Sequence, residues 1–236
     1  MAAGPRDSES FHLAPAIAEV FNESQSGISI DVFETSGSAE NVALLESGQI
    51  DFATVQADTQ LGARVNAVAS LYFDAFQLIV KASSRVNGFE DLAGKRVAIA
   101  PTGSGQNSSF WFVAGHYGLT PDRLTALPMS EDAANFAMIM GQVDAVFRVR
   151  APGNPSIREL VSDHPMRLVP IRQSEALSLK QAAIAPGTIP LGSYIGSPPL
   201  PLRDLPTAVL ERILVARADL SAERRPEECH AGLQRS

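Results

Sequence analysis

The stretch Arg96-Val97-Ala98-Ile99-Ala100-Pro101-Thr102-Gly103-Ser104-Gly105-Gln106-Asn107-Ser108-Ser109 decides how the rest of the chain is read. Val97 to Ala100 is a short apolar run closed by turn residues, the pattern of a parallel strand covered on both faces. A helix is expected from Asn107 or Ser108 onward. A helix that opens straight after a Gly-rich turn points its free backbone N–H groups and positive dipole end outward, which suits an anion. The turn is not a nucleotide fingerprint. Gly103-x-Gly105-x-x-Ser108 lacks the third glycine of the dinucleotide motif, and Gly94-Lys95 precedes a strand where a phosphate loop would precede a helix. Taken alone, such a turn is also what a plain βα connection with an N-cap looks like.

The surrounding chain repeats one plan. After Val97–Ala100 come a helix holding Phe110 to Val113 and stopping at Gly118, a strand Leu124–Leu127, a helix capped by Ser130 and closed by Gly141, and a strand Val143–Val149. Earlier, Ala2-Ala3-Gly4 reads as a strand tail entering a turn. A helix follows with Leu13, Ile17, Val20 and Phe21 at helical spacing, and Pro15 is tolerable there only in the first turn. Residues 28–33 alternate like a strand, Ala39–Ser47 is a helix closed by Gly48, and Ile50–Val55 is a strand. Gly48-Gln49-Ile50-Asp51 and Gly141-Gln142-Val143-Asp144 mark the same helix-to-strand junction, once per half. Chance is the weaker account of that match, because the order of elements around it matches too. Ligands of such sheets lie outside the C-terminal strand ends, and between two similar lobes those ends can face one another.

Val65–Leu71 and Phe76–Val80 supply further strands, Ser156–Ser162 a helix, and Met166–Ile171 a strand. Ala185–Pro206 is too proline-dense for regular structure. Thr207–Ala216 is apolar again and is expected to return to the first lobe, so that two crossovers form a hinge. The expected fold is α/β: two doubly wound α/β lobes joined by a two-strand hinge, with 1–80 and 201–236 as lobe 1 and 81–200 as lobe 2.

Composition narrows the function. The chain has 236 residues, 45% hydrophobic and 19% charged, as a globular protein with a real core requires. It contains no run of ~18 apolar residues that would span a membrane. A net charge of −7, spread without blocks, argues against nucleic acid as a partner. The single cysteine, Cys229, leaves no disulfide within the chain. His12, His116, His164 and His230 lack metal-ligand spacing, so neither metal nor cofactor is expected. Met1–Pro5 has no signal-peptide character, and both ends read as those of a segment of a longer chain.

Catalysis is not expected. Gly-x-Ser-x-Gly is absent, no histidine partners a turn serine, and Asp51 and Asp144 are placed to accept backbone N–H bonds after their helices. Recognition is better supported. Arg148 and Arg150 lie on one face at the end of the Val143–Val149 strand, next to the predicted cleft. Arginine's planar fork grips carboxylate bidentately. Tyr72 and Phe73 follow a strand and read either as walls of the cleft or as ordinary packing and surface residues.

The chain resembles the TAXI subgroup of TRAP-transporter solute receptors, which have a type II periplasmic-binding-protein fold. The resemblance rests on Thr35-Ser36-Gly37-Ser38-Ala39-Glu40-Asn41, Leu45-Glu46-Ser47-Gly48-Gln49-Ile50-Asp51, Val55-Gln56-Ala57-Asp58, Leu92-Ala93-Gly94-Lys95-Arg96-Val97, Pro101-Thr102-Gly103-Ser104-Gly105, Gly141–Phe147 and Val215–Leu220. It implies capture of a small carboxylate, such as glutamate or 2-oxoglutarate, between closing lobes outside the cytoplasm, and delivery to a membrane permease. Where many members carry Gly-Gly-Thr-Tyr-Tyr, this chain has Ser8-Glu9-Ser10-Phe11, and Arg148 and Arg150 replace smaller or apolar residues, which suggests a more negatively charged ligand. The expected ligand contacts are Ser8, Ser10, Phe11, Ser36, Ser38, Gln56, Asp58, Tyr72, Phe73, Ser104, Gly105, Gln106, Asn107, Arg148 and Arg150. Two other readings stay open: a sensory ligand-binding domain of a longer signalling protein, and an enzyme on the same fold.

Overall fold

A computed structural model of the chain describes residues 1–23 and 29–221. Ile28, the start of one expected strand, and Cys229 and His230 lie outside the described residues. In chain order the main elements are α1 (Glu9–Glu23), α2 (Ser38–Glu46), β1 (Phe52–Gln56), β2 (Val65–Lys81), β3 (Arg96–Ile99), α3 (Gly105–His116), β4 (Thr125–Pro128), α4 (Glu131–Ile139) and β5 (Ala145–Arg150). They continue with α5 (Pro155–Asp163), β6 (Met166–Val169), α6 (Ser174–Ser178), β7 (Ile184–Ile189), β8 (Ile195–Gly196), β9 (Pro199–Leu200) and β10 (Leu205–Arg217).

Two long antiparallel strands carry everything else. β2 has 17 residues, at ~3.4 Å per residue roughly 55 Å of extended chain, and β10 has 13. The sheet order is β1-β10-β2-β5-β3-β4, with β6 also on β2 and β7 also on β10. The first part of β10 pairs with β7 and its last part with β1. β2 pairs with β5 and β6 only from Ala75 on, close to where its burial changes from mostly exposed to continuous. That switch explains why the sequence reads as two strands: residues 66–73 are exposed or half-buried on a ribbon paired with β10, whereas residues 74–80 sit in the core.

β3, α3, β4, α4 and β5 form a parallel unit in the spatial order β4-β3-β5. Residues 1–56 repeat it in miniature, for Ala2 bridges in parallel to Phe33 on one side and to Ala53 on the other. The repeat extends to the arginines that clamp each junction. Arg96 donates to the Gly141 carbonyl at 3.0 Å and pairs with Asp144, while Arg217 donates to the Gly48 carbonyl at 3.2 Å and lies 3.6 Å from Asp51. Gly48 and Gly141 both have φ near +70°, the left-handed turn that ends each helix.

The main core lies on the second half, where Phe76, Phe89, Phe110 and Phe147 pack with ring centroids 5.4–6.0 Å apart. Two smaller clusters serve the first half.

Several expectations are corrected. Pro15 lies in the second turn of α1, beyond the place where a missing N–H is harmless, and Val20 is 68% exposed. The helix buries the small residues Ser10, Ala14 and Ala18, and the expected Ile17 and Phe21 pack half-buried against the same cluster. Residues 29–33 form only the Phe33 bridge. α3 begins at Gly105, two residues before Asn107, because Ser104 is its cap. The proline-rich 185–206 segment holds β7, β8 and β9, since its prolines fall at strand edges and turns where no ladder N–H is needed.

Candidate functional site

Three helices begin at one place. The first residues of α1, α2 and α3 line a single narrow cavity of about 30 Å³, together with Thr54, Gln56, Arg150 and Arg212. The helix starts are contributed by Pro5, Ser8 and Ser10, by Ser36–Ser38, and by Ser104–Gln106. The location follows from topology: the cavity sits where chains leave the C-terminal ends of β1, β3 and β5, at the reversal of strand order within each parallel unit.

Each start is held by a short hydrogen-bond circuit. Ser8 Oγ accepts from Phe11 N at 3.2 Å and donates to the Pro5 carbonyl at 2.6 Å. Ser104 Oγ does the same with Asn107 N (3.2 Å) and the Pro101 carbonyl (2.8 Å). Ser38 Oγ accepts from Gln56 N at 3.0 Å and so ties α2 to the end of β1. Gly105 marks where the halves touch: a Cβ there would overlap the Gln56 side-chain amide and approach Ser38 Oγ. Three helix dipoles aimed at one point favour negative charge. Gln56 Nε2 is buried in this lining without a hydrogen-bond partner, so a donor stands ready for an acceptor.

The arginines are already answered. Glu131 Oε1 lies 2.7 Å from Arg150, and its Oε2 3.7 Å from Arg148. Asp7 and Glu9 approach Arg150 at the longer distances of 3.5 and 3.7 Å. Arg212, on β10, pairs with the fully buried Asp74 at 2.6 Å. Burial alone would raise the Glu131 carboxyl, but the Arg150 and Arg148 guanidiniums outweigh it and hold the carboxyl below the ordinary glutamate value. Burial raises Glu9 and Asp7, with Arg150 only partly opposing it. These contacts correct the expectation that Arg148 and Arg150 leave spare positive charge in the cleft. Their common partner sits between them.

Nine of the expected contacts meet at the cavity: Ser8, Ser10, Ser36, Ser38, Gln56, Ser104, Gly105, Gln106 and Arg150. Six do not line it. Arg148 is 1% exposed behind Glu131 and donates to the Glu131 and Phe147 carbonyls. Asn107 donates to the Ala100 carbonyl. Asp58 accepts from Ser109 Oγ at 3.0 Å, a contact between the halves. Tyr72 stands one layer out, 2.8 Å from Ser10 Oγ, and burial pushes its hydroxyl up to about 12 despite Arg212, so it stays neutral. Phe11 lies under the Arg6 guanidinium, and Phe73 is 55% exposed on the surface.

Arg212 was the residue missed. Its signal was a charge on the face opposite Glu211 in an otherwise apolar strand, which cannot be buried without a partner. Asp74, between Phe73 and Ala75, carried the matching signal. Glu131 gave none, since an acid in the first turn after Ser130 is ordinary for any helix. A wider cleft of about 400 Å³ adjoins the cavity and shares Pro5, Ser36, Ser104, Gln106 and Arg150 with it. No His or Cys is among the described residues lining either space, and no described group of three His, Cys, Asp or Glu is placed to hold a metal.

The architecture is that of periplasmic-binding-protein-like structures. It is similar to the periplasmic aliphatic sulphonate binding protein SsuA from Escherichia coli (TM-score 0.61, 15% identity), covering 94% of this chain and 62% of that one. It is similar also to the GluR0 ligand-binding core complexed with L-glutamate (TM-score 0.57, 12% identity, 92% and 83% covered). A third likeness is to the BenM effector-binding domain with benzoate (TM-score 0.56, 14% identity, 92% and 83% covered). The chain thus spans less than two thirds of the SsuA structure's length. Residues 1–224 match the model of the NMT1-like family, and the chain belongs to that family.

Proposed function

We propose that the chain is a solute receptor that captures a small carboxylate between two lobes, residues 1–80 with 201–236 and residues 81–200, hinged on β2 and β10. The observation that carries this reading is the convergence of three helix N-termini and the unpartnered Gln56 amide on one cavity. Most of the binding comes from neutral donors and dipoles. The ligand carboxylate displaces the loosely held Asp7 and Glu9 from Arg150, while Glu131 remains. The ligands named for the neighbouring folds, a sulphonate, L-glutamate and benzoate, are all small acids, which supports the class. Placement outside the cytoplasm, delivery to a TRAP-type permease and membership of the TAXI subgroup complete the proposal, and no catalytic step is assigned to the site.

Glu9 is the contact that closure completes. Its Oε1 accepts from Asn154 Nδ2 at 2.8 Å and from Ala151 N at 3.2 Å, across from one lobe to the other. The test is a thermal-shift and calorimetric screen of mono- and dicarboxylates against sulphonates, phosphate and neutral analogues. A ligand that binds only the folded state raises the midpoint by mass action. A carboxylate that does so, and loses affinity in Gln56→Leu, supports the proposal; a screen in which only neutral solutes bind, or in which Gln56→Leu binds unchanged, refutes it.

The likeness to an effector-binding domain favours a second reading, a sensory domain using the same cavity. The full-length gene separates the two: a signalling or DNA-binding segment joined to this chain selects the sensor.

A further inference from the structure

A second hollow, half open to solvent and of about 360 Å³, shares no residue with the cavity or cleft above. It lies between the loop after β2, strand β6 with the turn that follows, and the segment from β9 into β10. Three guanidiniums border it, Arg167, Arg172 and Arg203. Arg167 Nη2 donates to the carbonyls of Ser84 (3.0 Å) and Val86 (2.6 Å) and to Asn87 Oδ1 (3.1 Å), and Arg172 Nη1 donates to the Asn87 carbonyl (3.2 Å). All of these acceptors are neutral. Among the described residues no carboxylate forms an ion pair with any of the three, in contrast to Arg148, Arg150 and Arg212. The nearest acid in sequence, Asp204, accepts from Leu191 N at 2.8 Å.

The rest of the wall is apolar. Leu168 and Leu205 are buried at its floor, and Leu202, 75% exposed, stands at its edge. In a chain of net charge −7, three cations without a carboxylate around an apolar hollow are a local reversal of charge. The volume falls within the range of small-molecule sites, about 300–1,000 Å³. Arginine forks suit an acid head, and leucine walls suit a hydrocarbon tail.

We propose that this hollow binds an amphipathic anion, with its acid head on Arg172 and Arg203 and its apolar tail over Leu168, Leu202 and Leu205. The head belongs either to a free acid or to an anionic lipid. The probe is octanoate, titrated calorimetrically beside acetate, which keeps only the head, and 1-octanol, which keeps only the tail. Octanoate is expected to saturate one site per chain, with acetate and octanol at least about tenfold weaker. The double variant Arg172→Gln/Arg203→Gln alters two exposed side chains and is expected to weaken octanoate about tenfold. Gln56→Leu, in the other cavity, is expected to leave octanoate unaffected. Absence of octanoate binding, equal binding of acetate or octanol, unchanged binding in the double variant, or loss in Gln56→Leu would each overturn the proposal. Flotation with phosphatidylcholine vesicles, with and without phosphatidylserine, distinguishes the sources: co-flotation only with the anionic vesicles assigns the head to a lipid, and chain left in solution assigns it to a free acid.

Discussion

Replacing Glu131 by Gln removes one negative charge and almost no volume from between two buried guanidiniums. Glu131 is 7% exposed, Arg148 1% and Arg150 3%, so the charge left behind has no route to water. Breaking a buried ion pair from one side costs about 3–5 kcal/mol. Gln still offers one acceptor to Arg150, which places the expected loss near the lower figure, about 3 kcal/mol. For a domain of this size that corresponds to a midpoint about 6–12 °C lower, at roughly 2–4 °C per kcal/mol. The single tryptophan, Trp111, packs edge-on to Phe110 with centroids 5.2 Å apart, so its fluorescence follows urea unfolding of the second-half core. The loss is also pH-dependent. The folded-state pKa of Glu131 is held below its unfolded value of about 4.3, so its contribution is present above that pH and disappears as pH falls through the folded value. The native chain and the variant are therefore expected to differ most at neutral pH and to converge in acid. A difference of less than about 1 kcal/mol at pH 7, or one that grows on acidification, would refute the assignment of Glu131 as the charge that permits both arginines to be buried.

Three further outcomes follow from the geometry. Gln56→Leu is expected to keep or slightly raise the unfolding midpoint, because it removes an unpartnered buried donor, while carboxylate affinity falls by about tenfold or more; calorimetry beside a melt separates the two. Gly105→Val places side-chain atoms in the Gln56 amide, so the halves are held apart: a larger radius of gyration in X-ray scattering and weaker ligand binding are expected, with far-UV circular dichroism unchanged. Phe73→Ser is expected to leave affinity within about twofold, since a 55% exposed ring outside the cavity contributes no contact; a large loss of affinity would mean that the ring reaches the ligand.

The parts of the site legible in the sequence are those with a local cause. The Gly103-Ser104-Gly105 turn announces a helix start to within two or three residues, because caps and tight turns have residue preferences that hold within four positions. The paired Gly-Gln-x-Asp junctions announce a repeat because both helices must end in a left-handed turn. The same local logic failed where tertiary contact overrode it. Pro15 sits inside α1 because packing of Ser10, Ala14 and Ala18 on the sheet outweighs one lost hydrogen bond, and the prolines of 185–206 are tolerated because they fall on edges and turns.

By itself the sequence determined the α/β class, the duplicated order of strands and helices, and the identity of two helix starts that point at a ligand. Only the tertiary structure decided that the three helix starts meet at one cavity, that Arg212 enters it, and that Glu131 answers both Arg148 and Arg150. The physical reason is range. Caps, turns and alternation act over a few residues of backbone, whereas a charge pair such as Arg212 with Asp74 joins positions 138 residues apart, and nothing in either neighbourhood names its partner until the strands are side by side.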